Sequence, residues 1–208
     1  MTKKQKGVEV AARLAQRYPA TCSLDAQKDY ELLFATRLSA QCTDARVNVV
    51  TEVLFARFPT LVSIAEADLE ELCDIVHPCG LYRTKARDIK QSAAALLERF
   101  DERVPDTMEE LLSLPGVGRK TANLILSEIY GKPAIVADTH CIRISNRLGL
   151  CNDTDPYKVE LALKKIIQPG EQAALCHRFV HFGRDICKAR GPACGACPLH
   201  DLCAHPLI

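Results

Sequence analysis

The chain has 208 residues, 48% hydrophobic and 25% charged, with 27 Lys and Arg against 26 Asp and Glu. This composition excludes a disordered, collagen-like or coiled-coil chain and allows a sizeable core in one or two domains. A net charge of +1 says nothing for or against a polyanionic partner, so any basic surface must be local.

Lys3, Lys4, Lys6, Arg13 and Arg17 surround Val8, Ala11, Ala12 and Ala15. That spacing predicts a basic amphipathic helix belonging to the fold, since a secretory signal would need a continuous apolar centre. No apolar run approaches the ~18 residues of a membrane span, so no membrane association is expected. Asp44 is placed to cap a helix running to Phe55. From Ile64 to Val76, five acidic residues alternate with Leu69, Leu72 and Cys73, which reads as a solvated helix face that would not meet a polyanion. Thr107 is placed to cap a helix running through Leu114. Ala122, Ile125, Leu126 and Ile129 form one helical stripe, and Val159, Leu163, Ile166 and Ile167 another. The single strand candidate, Ala134-Ile135-Val136-Ala137, reads as a buried connector. Breaks fall at Gly80, Leu114–Gly118, Gly131-Lys132-Pro133 and Gly191-Pro192. The expectation is an all-α chain with short turns.

Eleven cysteines stand out. Seven are scattered, at 22, 42, 73, 79, 141, 151 and 176, and read as small apolar residues, with no disulfide framework expected. The other four form the pattern Cys187-x6-Cys194-x2-Cys197-x5-Cys203. Four thiolates that close together can converge on one metal centre. Spacing leaves both a four-cysteine zinc site and an iron–sulfur cube open. One knuckle with two unequal arms leans towards the cube, because zinc ribbons usually carry two knuckles. The first arm, Lys188 to Ala193, holds Lys188 and Arg190 and no anion. A loop pinned between metal ligands would present these cations rigidly to phosphates; otherwise it is a solvated loop.

Leu114-Pro115-Gly116-Val117-Gly118 joins two predicted helices. Pro115 stops the first, and the glycines permit a tight turn with uncovered backbone. The next helix begins with unpaired N–H groups and a positive dipole end. Together these make a phosphate site that requires no side chain. Lys120 follows, and Val136-Ala137-Asp138-Thr139-His140 places Asp138 18 positions after Lys120.

These motifs, closed by the cysteine pattern, resemble the endonuclease III family of DNA repair glycosylases, in the helix-hairpin-helix superfamily with a Gly/Pro-rich loop and an aspartate. The resemblance runs from Glu31-Leu-Leu-Phe-Ala and Leu38-Ser-Ala-Gln-Cys-Thr-Asp to Cys203. It implies an all-α, two-lobed fold with a C-terminal cluster loop. Residues 22–131 would form the helical block containing the hairpin. Residues 1–21 plus 132–208 would form a second lobe, with the break at Gly131–Pro133 as the crossing.

The resemblance further implies base excision repair by a bifunctional glycosylase and abasic-site lyase that removes oxidised pyrimidines from damaged double-stranded DNA. Lys120 would attack C1′ of the sugar to form a Schiff base, and β-elimination would cut 3′ to the lesion. A lysine in water is protonated and not nucleophilic, so a desolvated setting near other cations or a helix N-terminus is required. Asp138 has a plain role as a helix cap and an implied role in supporting an oxocarbenium-like sugar. A stacked base must be flipped out before excision; Gln41 would fill the hole and Leu81 would wedge from the other side. Asp44 and His140 are implied base-pocket residues. DNA contacts would come from Leu114, Gly116, Val117, Gly118, Arg119, Lys188 and Arg190. Cys187, Cys194, Cys197 and Cys203 would hold a [4Fe-4S] cluster. A cytoplasmic monomer is expected, nucleoid-associated if bacterial.

Cys42 stands beside Gln41 where relatives often have a small or hydroxyl residue, and Cys141 follows Asp-Thr-His; both leave lesion preference and oxidant sensitivity open. Rival readings are an adenine-mismatch or a thymine- or uracil-mismatch glycosylase, both disfavoured by Lys120, and a non-catalytic hairpin module.

Overall fold

The computed structural model describes residues 1–205, and every regular element among them is helical. The α-helices are α1 (Lys3–Ala15), α2 (Asp29–Leu38), α3 (Asp44–Arg57), α4 (Leu61–Glu66), α5 (Leu69–Val76), α6 (Tyr82–Arg99), α7 (Met108–Leu112), α8 (Arg119–Glu128), α9 (Thr139–Arg147), α10 (Pro156–Ile166) and α11 (Gln172–Asp185). Short 3-10 turns occupy His77–Cys79, Pro169–Glu171, Cys194–Ala196 and His200–Leu202. Two compact units form: Cys22–Tyr130 is one, and Met1–Thr21 with the chain from Gly131 onward is the other. No helix among the described residues is long and apolar enough to cross a membrane.

In the Cys22–Tyr130 unit, α6 is the longest helix. It buries Ala86, Ile89, Ala93 and Leu96 and packs on α4 and α5. Leu33, Phe34 and Leu38 from α2, Leu54 from α3 and Ile125 from α8 complete one core; each such side chain contributes about 1.5–3 kcal/mol by leaving water. The acidic segment from Ile64 to Val76 is not one helix. Asp68 interrupts it, accepting from the Glu70 and Glu71 amides to start α5. Ile64, Leu72, Cys73 and Val76 are buried, so only its outer face is solvated.

The α3 boundary differs from the sequence expectation by one residue. Thr43 is the N-cap and Asp44 the first helical residue, and the helix runs to Arg57. A carboxylate in the first turn is still favoured by the helix dipole, so Asp44 remains a good starting residue without being the cap.

In the other unit, α1 packs on α10 and α11, and α9 packs on α11. A capping box starts α1: the Thr2 hydroxyl accepts from the Gln5 amide and the Gln5 side chain accepts from the Thr2 amide. The expected inward stripe of α1 is only partly right. Gly7, Val10, Ala11 and Leu14 are buried, whereas Val8 is 47% exposed. Turning Val10 and Leu14 inward removes more apolar area from water than Ala12 and Ala15 would. Gly7 sets the approach, since a Cβ there would stand 2.8 Å from Ile167 Cδ1. Ala134–Ala137 is a buried connector without regular structure.

Candidate nucleic-acid interface and metal centre

Two short turns present the wedge candidates, both in the Cys22–Tyr130 unit. Gln41 lies between α2 and α3, where the Cys42 amide donates to the Ser39 carbonyl at 3.1 Å. Leu81 follows Gly80 and caps α6, and its side chain is 57% exposed. Gln41 has φ +57° and Leu81 φ +51°. Neither residue type favours this left-handed region, which costs about 1–3 kcal/mol per residue and persists only where the surroundings impose it. Among the described residues, only Asp101 and Glu102 are the other non-glycine positions with positive φ.

The hairpin connects α7 to α8. Thr107 caps α7, with its hydroxyl accepting from the Glu110 amide, and α7 ends at Leu112, ahead of the expected Leu114. Leu114 is 3% exposed and belongs to the core. Its side chain anchors the turn in the core, so any DNA contact it makes would come from its main chain. Gly116 takes φ +72°, and Gly118 is the N-cap of α8 with no side chain over the first turn. Arg119 and Lys120 open α8, and Lys120 is exposed.

Three residues brace this turn that local sequence could not identify. Ser92 Oγ of α6 donates to the Pro115 carbonyl at 2.8 Å. Arg37 of α2 donates to Asp88 Oδ2 of α6 from Nε at 2.9 Å and from Nη2 at 2.7 Å. Gly116 lies against that pair: a Cβ would meet Arg37 Nε and Asp88 Oδ2, each at 2.6 Å. Gly116→Ala is therefore expected to cost about 2 kcal/mol, from positive φ and a displaced ion pair, and to weaken duplex binding. Thermal unfolding and a binding titration check both effects.

In the second unit, Asp138 is the N-cap of α9; its Oδ1 accepts from the Cys141 amide at 2.7 Å. His140 Nδ1 lies 3.0 Å from Arg143 Nη2. Both pack over Gly183 of α11, where a Cβ would overlap His140 and approach Arg143 Nη2 to 2.8 Å. Gly183 thus makes the room that His140 occupies.

The far end of α9 reaches the cysteine segment through Arg147. Its guanidinium donates to the Lys188 carbonyl at 2.7 Å, the Ala189 carbonyl at 3.2 Å and Cys187 Sγ at 3.4 Å. Its own carbonyl accepts from the Ala204 and His205 amides at 3.0 and 3.2 Å. Arg143 donates to the Cys187 carbonyl. Arg13 of α1 forms a two-pronged pair with Asp201 at 2.6 and 3.0 Å. Arginines from two helices therefore hold the segment at both ends, while the side chains of Lys188 and Arg190 are exposed. An i, i+4 arginine pair after Asp-Thr-His is the sequence signal for Arg143 and Arg147.

Cys187, Cys194, Cys197 and Cys203 line one pocket, walled by Leu148, Phe182, Ile186 and Pro192. All eleven cysteines are free thiols. Among the described residues no three His, Cys, Asp or Glu side chains converge as they would around a single ion; the four thiols ring the pocket wall. Four thiolates around an apolar volume, with an arginine donor on one sulfur, suit an iron–sulfur cluster, whose potential such hydrogen bonds tune. The scattered cysteines are mostly buried, with Cys22 and Cys42 half-buried.

Residues 34–169 match the family of HhH-GPD superfamily base excision DNA repair proteins. Residues 187–203 match the iron-sulfur binding domain of endonuclease III. Endonuclease III of Synechocystis sp. is 46% identical over 204 residues, covering 97% of this chain and 93% of that protein. Endonuclease III of Bacillus subtilis is 42% identical over 193 residues, covering 92% and 88%. A trapped endonuclease III–DNA covalent intermediate is a similar solved structure, with TM-score 0.94 and 44% identity over 99% of this chain and 98% of that one. A thermostable thymine-DNA glycosylase, at TM-score 0.84 and 22% identity over 98% of this chain and 96% of that one, shares the fold.

Proposed function

The chain belongs to the endonuclease III family of base excision DNA repair proteins, and from that premise we propose that it excises oxidised pyrimidines from duplex DNA and cuts the strand at the abasic site. The observation that carries this reading is Lys120, exposed in the first turn of α8, directly after a glycine hairpin whose helix start has no capping side chain. A hairpin alone holds a phosphate; a hairpin followed by an accessible amine at a helix N-terminus can also react with the sugar once the bound duplex covers the amine and excludes water from it.

In this reading the hairpin amides and dipole grip the backbone beside the lesion. Flipping the base costs a few kcal/mol, which Gln41 and Leu81 offset by entering the stack. Lys120 Nζ bonds to C1′ as the C1′–N bond breaks and its electron pair leaves with the base. Nζ gives up a proton, and the sugar ring opens as the C1′–O4′ bond breaks and O4′ takes up a proton, which leaves a protonated Schiff base. Loss of a C2′ proton then expels the 3′-phosphate, which cuts the strand. The Asp138 carboxylate, fixed by the Cys141 amide, supports positive charge developing on the sugar.

The cysteines at 187, 194, 197 and 203 hold the [4Fe-4S] cluster, which supplies a covalent cross-link for the segment when bound. Arg147 and Arg143 fasten the loop so that Lys188 and Arg190 meet phosphates. Lys188→Ala is expected to weaken binding similarly across sequences and to reduce the slope of log K against log salt by about one; titrations at several salt concentrations measure it. The protein acts as a monomer on damaged duplex DNA, in the cytoplasm.

Duplexes carrying thymine glycol, dihydrouracil, 8-oxoguanine opposite cytosine, or adenine opposite 8-oxoguanine test the assignment. Excision with strand cleavage is expected on the first two. Preference for the last would move the enzyme to the adenine-mismatch branch.

A further inference from the structure

We propose that Lys85 is a positioning residue that clamps the Gln41 and Leu81 turns together, so that both wedges meet the duplex as one preset device. The proposal rests on the wedge reading of those two residues.

Lys85 lies in the first turn of α6 and is 0% exposed. Its ammonium donates to the carbonyls of Leu38 at 2.8 Å, Ala40 at 2.7 Å and Cys79 at 2.8 Å. All three of its protons are therefore used. The acceptors are specific to the two turns. Leu38 ends α2 and Ala40 immediately precedes Gln41, while Cys79 ends the His77–Cys79 turn and immediately precedes Gly80-Leu81. One nitrogen thus binds the main chain one residue before Gln41 and two residues before Leu81, and holds the Ala40 and Cys79 carbonyl oxygens within a few ångströms of each other.

Burying an ammonium is costly unless its hydrogen bonds are complete, and a packed apolar side chain would ordinarily serve a core position better. What favours a cation here is a pair of helix C-termini, each with orphan carbonyls and a negative dipole end. The arrangement also bears on the backbone at both wedges. A left-handed Gln and a left-handed Leu persist only where neighbouring structure over-determines them, and Lys85 fixes the Ala40–Gln41 peptide and the Cys79–Gly80 peptide, one residue before Leu81.

A residue that merely stabilises the fold would affect every activity alike, whereas a clamp on the wedges affects reactions that require an opened base stack. Excision of thymine glycol from a duplex needs the wedges. Cleavage of a single-stranded abasic oligonucleotide does not, because it has no paired stack to open. Lys85→Met keeps the aliphatic stem and removes the donors. Once thermal unfolding shows a folded protein, its duplex excision kcat/KM is expected to fall about tenfold to a hundredfold, the scale of misplacing a positioning group by an ångström. Single-strand cleavage should fall much less. Lys85→Arg keeps the cation, but its flat fork cannot meet three converging carbonyls. It should show the same split on a smaller scale, and it carries the test if Lys85→Met does not fold. Equal losses on both substrates, or an unchanged duplex rate in a folded variant, would overturn the clamp. Gln41→Ala and Leu81→Ala, both at exposed positions, are assayed alongside. If they leave duplex excision unchanged, the wedge reading fails and the clamp falls with it. If they lower it while the Lys85 variants do not, the clamp alone is wrong.

Discussion

Lys120→Gln is expected to bind damaged duplex DNA nearly as well as the parent protein while losing the borohydride-trappable adduct and the strand cut. The position is exposed and opens α8. Glutamine and lysine have similar helix propensities, so stability should change by less than about 0.5 kcal/mol. The hairpin proposed to grip the DNA backbone is braced elsewhere, by Ser92 and by the Arg37–Asp88 pair under Gly116, and none of these contacts involves the lysine side chain. On the proposed mechanism the substitution therefore removes the nucleophilic nitrogen and leaves the binding surface. Binding titrations and borohydride trapping on the same duplex separate the two quantities. A trapped adduct at the parent's yield would assign the nucleophile to another amine, such as the N-terminus.

Asp138→Asn should leave the protein folded and slow base release by about 10²–10³-fold, the scale of removing one electrostatic stabiliser from a transition state. Asparagine keeps a side-chain oxygen for the Cys141 amide, which Asp138 Oδ1 now accepts at 2.7 Å. Exchange between two good N-cap residues costs less than about 1 kcal/mol. What disappears is the negative charge. On a preformed abasic site the glycosidic bond is already broken, so strand cleavage should suffer less than excision. Single-turnover rates on a lesion duplex and on an abasic duplex measure that difference. Equal rates for variant and parent on both would reduce Asp138 to a helix cap.

The parts of this protein legible in its sequence are those set by neighbouring residues. The hairpin reads from Pro115, Gly116 and Gly118 because a proline stop, a positive φ and an uncovered helix start are local requirements. The metal centre reads from the cysteine spacing, and the all-helical class reads from stripes such as Ala122, Ile125 and Leu126, which are buried together. Asp138 reads as a cap because capping involves only the next few residues.

What braces these parts did not read in advance, since it is assembled from residues far apart in the chain. Arg37 and Asp88 are 51 positions apart, and Lys85 lies 47 and 45 positions from two of its carbonyl partners. No periodicity marks a lysine that will be fully buried, because its type predicts exposure and only the convergence of two helix ends reverses that. Gln41 and Leu81 carry no left-handed preference of their own, so their backbone was decided by the turns around them. The α1 face was decided in the same way: the expected stripe was Val8, Ala11, Ala12 and Ala15, whereas Gly7, Val10, Ala11 and Leu14 turned inward, with Gly7 close against Ile167. Sequence alone determined the chemistry that one short segment can hold. Tertiary packing decided which side chains were spent on holding those segments in place, because that depends on distances between elements that no single segment encodes.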